Sequence, residues 1–204
     1  MWQALAEGGV AFVSAFLIGT LVEYLVHRLM HDRRLLGKKH AEHHRDGWGQ
    51  GWLGEFGDYF LPTVLVIWVG FLYSIGAGIG WALGGFVYAA LAAYAHQLQH
   101  EYPDLVFWMP RPVHTLHHKH HMWKNNFGIL VDWWDRVFGT YKYVEWKREK
   151  SIRAHGFRAF FRISWFKAAI DQAEELARRS AATNGQTPER SEAATPHAET
   201  MTRP

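Results

Sequence analysis

Polar and apolar positions are segregated along this chain on the scale of whole helices. Between Gly9 and Val26 the one charge is Glu23, and from Tyr59 to Gln99 no Asp, Glu, Lys or Arg occurs. As a helix the first stretch is roughly 27 Å long, close to the ~30 Å hydrocarbon thickness of a bilayer. The second would be roughly 61 Å long, too much for one crossing and suited to two. Gly76, Gly78 and Gly80 lie in its middle, where a helical hairpin needs a turn. The pattern predicts three crossings, at about 9–27, 60–76 and 79–98, and so an all-α integral membrane helical bundle. A soluble bundle with buried helices is the weaker reading. A cleaved signal peptide is weaker still, because no basic region precedes the first apolar stretch and a histidine motif follows it directly.

Charge orients the bundle. Residues 1–8 and the glycine-rich turn carry no Lys or Arg, whereas Arg28, Arg33, Arg34, Lys38, Lys39 and Arg45 follow the first crossing. Basic loops stay in the cytoplasm, so 28–58 and everything after about 98 are expected on the cytoplasmic side. Three segments are expected in the chain: a membrane-embedded catalytic domain over 1–150, an amphipathic helix over 151–179 and a disordered tail over 180–204. The helix follows from apolar residues at helical spacing between Phe157 and Leu176, interleaved with Arg158, Arg162 and Lys167; it would lie on anionic lipid or pack onto the rest of the chain. The tail follows from the lack of any aromatic, Leu, Ile or Val between Ser180 and Pro204.

Composition narrows the chemistry. Cysteine is absent, which excludes disulfide scaffolds, thiolate zinc sites, iron–sulfur clusters and cysteine nucleophiles. A net charge of +3 is too small an excess to argue for nucleic acid. The anomaly is 14 histidines, most of them in four groups. His27 and His31 form HxxxH at the end of the first crossing, and His40, His43 and His44 form HxxHH. His96 and His100 repeat HxxxH at the end of the third crossing, and His114, His117 and His118 repeat HxxHH. On a helix, positions i, i+3 and i+4 share a face. Four such helices meeting beneath the membrane would aim ten imidazoles at one small volume. Protonated, they would repel; neutral, each offers a lone pair, so the arrangement suits two transition metals at about five ligands each, with room for O2. Imidazole suits Fe, Zn, Cu and Ni and does not choose among them. His120 and His121 are either further ligands or neighbours of ligands, while His155 and His197 lie outside the groups.

Together with Asn126-Phe127-Gly128-Ile129 and the run Asp132-Trp133-Trp134-Asp135-Arg136-Val137-Phe138-Gly139-Thr140, the four groups resemble the fatty acid hydroxylase/sterol desaturase superfamily of membrane non-haem di-iron oxygenases over roughly 15–146. The resemblance implies two Fe ions (with Zn possible after isolation) held by His27, His31, His40, His43, His44, His96, His100, His114, His117 and His118. It implies O2 as co-substrate and a lipid substrate entering from the bilayer. An external donor, cytochrome b5- or ferredoxin-like, would supply electrons. Lipid hydroxylation is the first expectation, carotenoid hydroxylation the second and sterol desaturation the third. The rival from another class is a non-enzymatic histidine-rich membrane protein that binds haem or metal, which a Soret band would reveal in the haem case.

Three smaller features complete the reading. Glu23, one turn before His27, and Glu101, after His100, are candidates either to hold a ligand imidazole or to stand as interfacial charges. Asp132 and Asp135 are expected to pair with Arg136 rather than bind metal. Gly49-Gln50-Gly51-Trp52-Leu53-Gly54 matches GxGxxG, but no strand or βαβ unit surrounds it and a dinucleotide site is rejected. Trp48 and Trp52 are expected at the membrane interface.

Overall fold

The computed structural model describes residues 2–47, 49–148, 157–167 and 171. Six α-helices carry the architecture: α1 (Trp2–His31), α2 (Gly37–Asp46), α3 (Trp52–Val66), α4 (Ile75–Glu101), α5 (Val113–Lys119) and α6 (Trp133–Val137). Short 3-10 turns at Ile67–Leu72, Pro103–Leu105 and Phe157–Phe161 extend or link them, and no strand occurs among the described residues. Residues Met1–Ile170 form one compact unit, and Asp171–Pro204 form a second of which Asp171 alone is described.

Trp2–His31, Trp52–Leu72 and Ile75–Glu101 are long and apolar enough to cross a membrane. Their outward faces are apolar: Leu5, Val10, Val13 and Ile18 on α1, Leu61 and Leu65 on α3, and Ile79, Leu83 and Phe86 on α4 are all exposed. In water such continuous exposure would be untenable; facing lipid it is what a span presents.

α4 is the central helix, packed against α1 on one side and α3 on the other. Its buried face is built from small residues, among them Gly80, Gly84, Ala89, Ala92, Ala93 and Ala95. A Cβ on Gly80 would collide with the backbone oxygen of Gly8, and one on Gly84 with that of Phe12. A Cβ on Gly76 would stand 2.7 Å from the backbone oxygen of Ala4. Gly76, Gly80 and Gly84 thus recur every four residues along one stripe, letting the α1 and α4 backbones touch; lipid gives helices little hydrophobic drive, so such close packing holds the pair.

This corrects the expected turn. The glycines lie within α4, and the hairpin closes instead at Tyr73 and Ser74. Ser74 is extended (φ −163°, ψ 165°), and its hydroxyl accepts the Ala77 amide at 3.1 Å, a helix N-cap. Its hydroxyl also donates to Glu7 at 2.6 Å, tying the hairpin tip to the start of α1. All four histidine groups lie toward the opposite end of the bundle, on the last turns of α1 and α4 and on α2 and α5.

The segment 157–167 packs onto that end. The amides of Trp52 and Leu53 donate to the carbonyls of Ser164 and Trp165 at 2.8 and 3.1 Å, satisfying the first turn of α3. Ile163 is buried among Leu98, Leu105, Val106, Met109 and Val113. The described part of the region after Phe157 begins as a 3-10 turn, with Ile163 packed inward and Phe161, Trp165 and Phe166 exposed. Apart from Asp171, the remainder of the expected helix lies outside the described residues, as do the tail over 180–204 and Trp48. Trp52 stacks on Phe56 and donates to the Ala90 carbonyl at 3.2 Å.

Candidate metal centre

Nine of the ten clustered histidines fall into two groups able to hold metal. His27, His31, His40, His44 and His117 form one, and His43, His100, His114 and His118 form the other; within each, one ring nitrogen per residue lies within 4.8 Å of all the rest. The motifs do not map one to a group. On α2, His40 and His44 share a stripe and serve the first while His43, on the adjacent stripe, serves the second. On α5 the division is reversed, with His114 and His118 in the second group and His117 in the first. Each HxxHH therefore straddles both groups, which is what the i, i+3, i+4 pattern allows on one helix between two centres. The groups are contiguous: the rings of His44 and His118 stack with centroids 4.0 Å apart, and His27 lies 5.5 Å from His114.

Within the first group the ε nitrogens converge. His31 Nε2 lies 2.8 Å from those of His40 and His117 and 3.2 Å from that of His44, while His40 and His44 are 3.0 Å apart. Two imidazole nitrogens bound to one ion at about 2.1 Å and at right angles would stand about 3 Å apart. The tautomers agree. His117 Nδ1 faces the Asn125 carbonyl at 2.8 Å and His27 Nδ1 the Phe127 carbonyl at 2.6 Å. A carbonyl only accepts, so each Nδ1 carries the hydrogen and each Nε2 is left as a lone pair. His27 Nε2 is buried without a hydrogen-bond partner, as are both nitrogens of His118. Inward lone pairs with nothing to bind are costly, and a cation among them removes that cost.

Burial keeps the rings neutral. It pushes His40 and His44 down to about 2, with neighbouring imidazoles adding to the effect, and His117 down to about 4. His114 and His118 are held well below the ordinary histidine value for the same reason, burial first and neighbouring imidazoles second. Because these folded-state values are depressed, the unfolded chain takes up protons first as pH falls below about 6.5, and stability declines from there downward.

His96, the tenth residue, is held beside the second group. Its ring lies 4.5 Å from His114, 4.8 Å from His100 and 5.0 Å from His43, and its Nδ1 is 2.8 Å from the buried Glu55 carboxylate. Glu55, on α3, escaped sequence reasoning. It sits 41 positions from His96 in the chain, and no local motif joins them. Gln97 and Gln99, between the two histidines of HxxxH, were also silent in the sequence. Gln99 accepts the His114 amide at 2.9 Å and donates to the Ile129 carbonyl at 2.7 Å, and Gln97 accepts the Gly51 amide at 3.0 Å. Gly51 is the N-terminal flank of α3, so the GxGxxG match forms a helix entry between spans.

The carboxylates expected near the ligands accept hydrogen bonds from backbone amides and from Gln97 instead. Glu23 Oε1 accepts the Ile129 and Leu130 amides at 2.9 and 3.1 Å, and Glu101 accepts Gln97 Nε2 at 3.0 Å and the Ser164 amide at 2.8 Å. Among the described residues neither hydrogen-bonds an imidazole. Asp132 pairs with Arg136 at 2.6 Å, as expected. Asp135 does not; it is buried and accepts the Phe127 and Gly128 amides at 2.9 and 2.7 Å and the Thr140 hydroxyl at 2.7 Å. The difference is one of helix face, since Asp132 and Arg136 are i, i+4 while Asp135 points inward. Asp135 thereby fixes the loop whose Phe127 and Asn125 carbonyls orient His27 and His117. His120 and His121 are exposed and belong to neither group, and His155 and His197 lie outside the described residues.

Comparison with known proteins agrees with the site. A family model described as fatty acid hydroxylase matches residues 12–140, a stretch that includes all ten histidines and ends at Thr140. No curated protein and no solved structure matches the chain.

Proposed function

The chain belongs to the fatty acid hydroxylase family, and on that premise we propose that it is a multi-pass membrane oxygenase that uses two iron ions and O2 to hydroxylate an unactivated C–H bond of a fatty acyl or related lipid. The carrying observation is the pair of contiguous histidine groups at one end of three lipid-facing spans. His27, His31, His40, His44 and His117 would hold one ion; His43, His100, His114 and His118, with His96, would hold the other. The donor set is all imidazole, with tautomers at His27 and His117 that already present lone pairs inward. When bound, the metal pair supplies the reduction of O2 to an oxidant strong enough to attack an alkyl C–H bond.

The chain's own residues do the rest. Glu55 holds His96, Asp135 fixes the loop whose carbonyls orient His27 and His117, and Gln99 holds the start of α5, which carries His114, His117 and His118. An acyl chain dissolved in the bilayer reaches the site laterally along the apolar outer faces of α1 and α4, without passing through water. The convergence of four ε nitrogens within 2.8–3.2 Å contacts speaks against the haem alternative, because a porphyrin would need the space those nitrogens occupy.

The test is twofold. Purified wild-type protein is expected to carry two metal ions per chain, and His117→Ala to lose at least one. Lipid and carotenoid profiling of cells expressing either form is expected to show a hydroxylated acyl product with the wild type alone. A hydroxylated carotenoid or a desaturated sterol in its place would reassign the substrate, and well under two metals in the wild type would end the dinuclear reading.

A further inference from the structure

Each hydroxylation consumes O2, two protons and two electrons, giving the alcohol and one water. The electrons must cross from the aqueous side to ions enclosed by imidazoles. Phe127 and Trp123 both lie against ligand rings, but Phe127 is 2% exposed and Trp123 is 49% exposed. The Trp123 indole lies nearly parallel to His44, with centroids 5.5 Å apart at 27°, and edge-on to His31 at 5.1 Å. One ring therefore spans the distance from solvent to two proposed ligands of the first group.

Its surroundings are basic. Lys124 follows it in the chain, Lys119 ends α5 four residues before it with its ammonium 5.7 Å over the Trp146 ring, and Arg33 and Arg34 come just after His31 and Asp32; all four are exposed. Across 31–36 and 119–124 the sequence carries these four cations and one carboxylate, Asp32. A large exposed aromatic within a cationic rim is the anatomy of an interface that captures an anionic partner quickly and anchors it at its centre.

We propose that Trp123 and the cations around it form the docking face for an acidic one-electron carrier protein, with the indole as the route by which electrons reach the histidine groups. The inference rests on the two-metal reading above. Two reduced carriers dock in turn and each is oxidised by one electron; Trp123 conducts and is not itself consumed. Anionic lipid headgroups could satisfy the same cations, but they would have no use for an indole stacked on a ligand ring.

The experiment uses the full metal-loaded chain in nanodiscs of neutral phosphatidylcholine, with an acidic plant-type [2Fe–2S] ferredoxin as probe. Binding is measured at low and high ionic strength, and the rate of metal reduction is measured with ferredoxin or with dithionite. Lys119→Glu/Lys124→Glu is expected to weaken ferredoxin binding about tenfold or more and to flatten its salt dependence. Trp123→Leu is expected to slow reduction by ferredoxin about tenfold or more, with metal content and reduction by dithionite unchanged; Trp123→Phe, which keeps a ring, should recover part of the rate. Equal binding and equal rates in all variants would overturn the proposal. So would charge reversal that alters retention by phosphatidylglycerol bilayers while leaving ferredoxin binding intact. Ferredoxin binding is also read on metal-free protein, so a failure of metal loading counts against the two-metal reading and leaves the docking face to be judged by binding.

Discussion

At the scale of single residues, Glu55 and Glu23 show that a buried carboxylate's position matters more than its distance from a histidine in sequence. Glu23 is one turn from His27 yet holds the Ile129 and Leu130 amides, because on α1 it faces the loop that closes over the site. Glu55 is far from any histidine motif yet meets His96 at 2.8 Å. Ligand-orienting partners of this kind are worth about 10–100-fold in metal affinity. Glu55→Leu is therefore expected to lower affinity for one ion by that factor, reducing the stoichiometry of dialysed protein from two metals per chain toward one while the first group keeps its ion. Elemental analysis after dialysis against a weak chelator checks this; unchanged stoichiometry would show that Glu55 does not position a ligand. The histidines themselves were legible because ligation imposes short helical spacings. Glu55, Gln97 and Gln99 were not, because their partners come from other segments of the chain.

At the scale of elements, the glycines of α4 carry the clearest lesson. In one dimension Gly76, Gly78 and Gly80 look like a turn in the middle of a double-length apolar stretch. In three dimensions the helix begins earlier, capped by Ser74, and glycines at four-residue spacing let α1 and α4 approach to backbone contact. Since α1 and α4 carry His27, His31, His96 and His100 at their ends, this contact also sets how closely the two HxxxH pairs meet. Gly80→Leu is expected to cost roughly 1–3 kcal/mol or more by overpacking, seen as a lower thermal unfolding midpoint in detergent and as weakened metal retention. Ile79→Leu, on the exposed face of the same turn, should change little. Equal midpoints for the two variants would refute the packing role. The helical hairpin was legible from the length of the uncharged run; the turn was misplaced because glycine serves both for sharp bends and for close helix contact.

At the scale of the whole molecule, the three long apolar helices place the hairpin tip at Tyr73 at one end and the histidine groups at the other. The excess of Lys and Arg in the loop after α1 favours a cytoplasmic position for the histidine end. The lack of native cysteine makes the test clean. Tyr73→Cys is expected to react with a membrane-impermeant maleimide on intact cells, and Lys147→Cys only after permeabilisation; the opposite pattern would invert the orientation. By itself the sequence determined the helical class, the three apolar runs long enough to cross a membrane and the identity of the histidine groups, because hydrophobic run length and i, i+3, i+4 spacing are local consequences of helix geometry. The tertiary structure alone decided how those histidines divide into two groups, which carbonyls and carboxylates orient them, and that Trp123 connects them to the surface. Those are contacts between segments dozens of residues apart, and they exist only once α1, α4 and the loop over 123–140 have packed together.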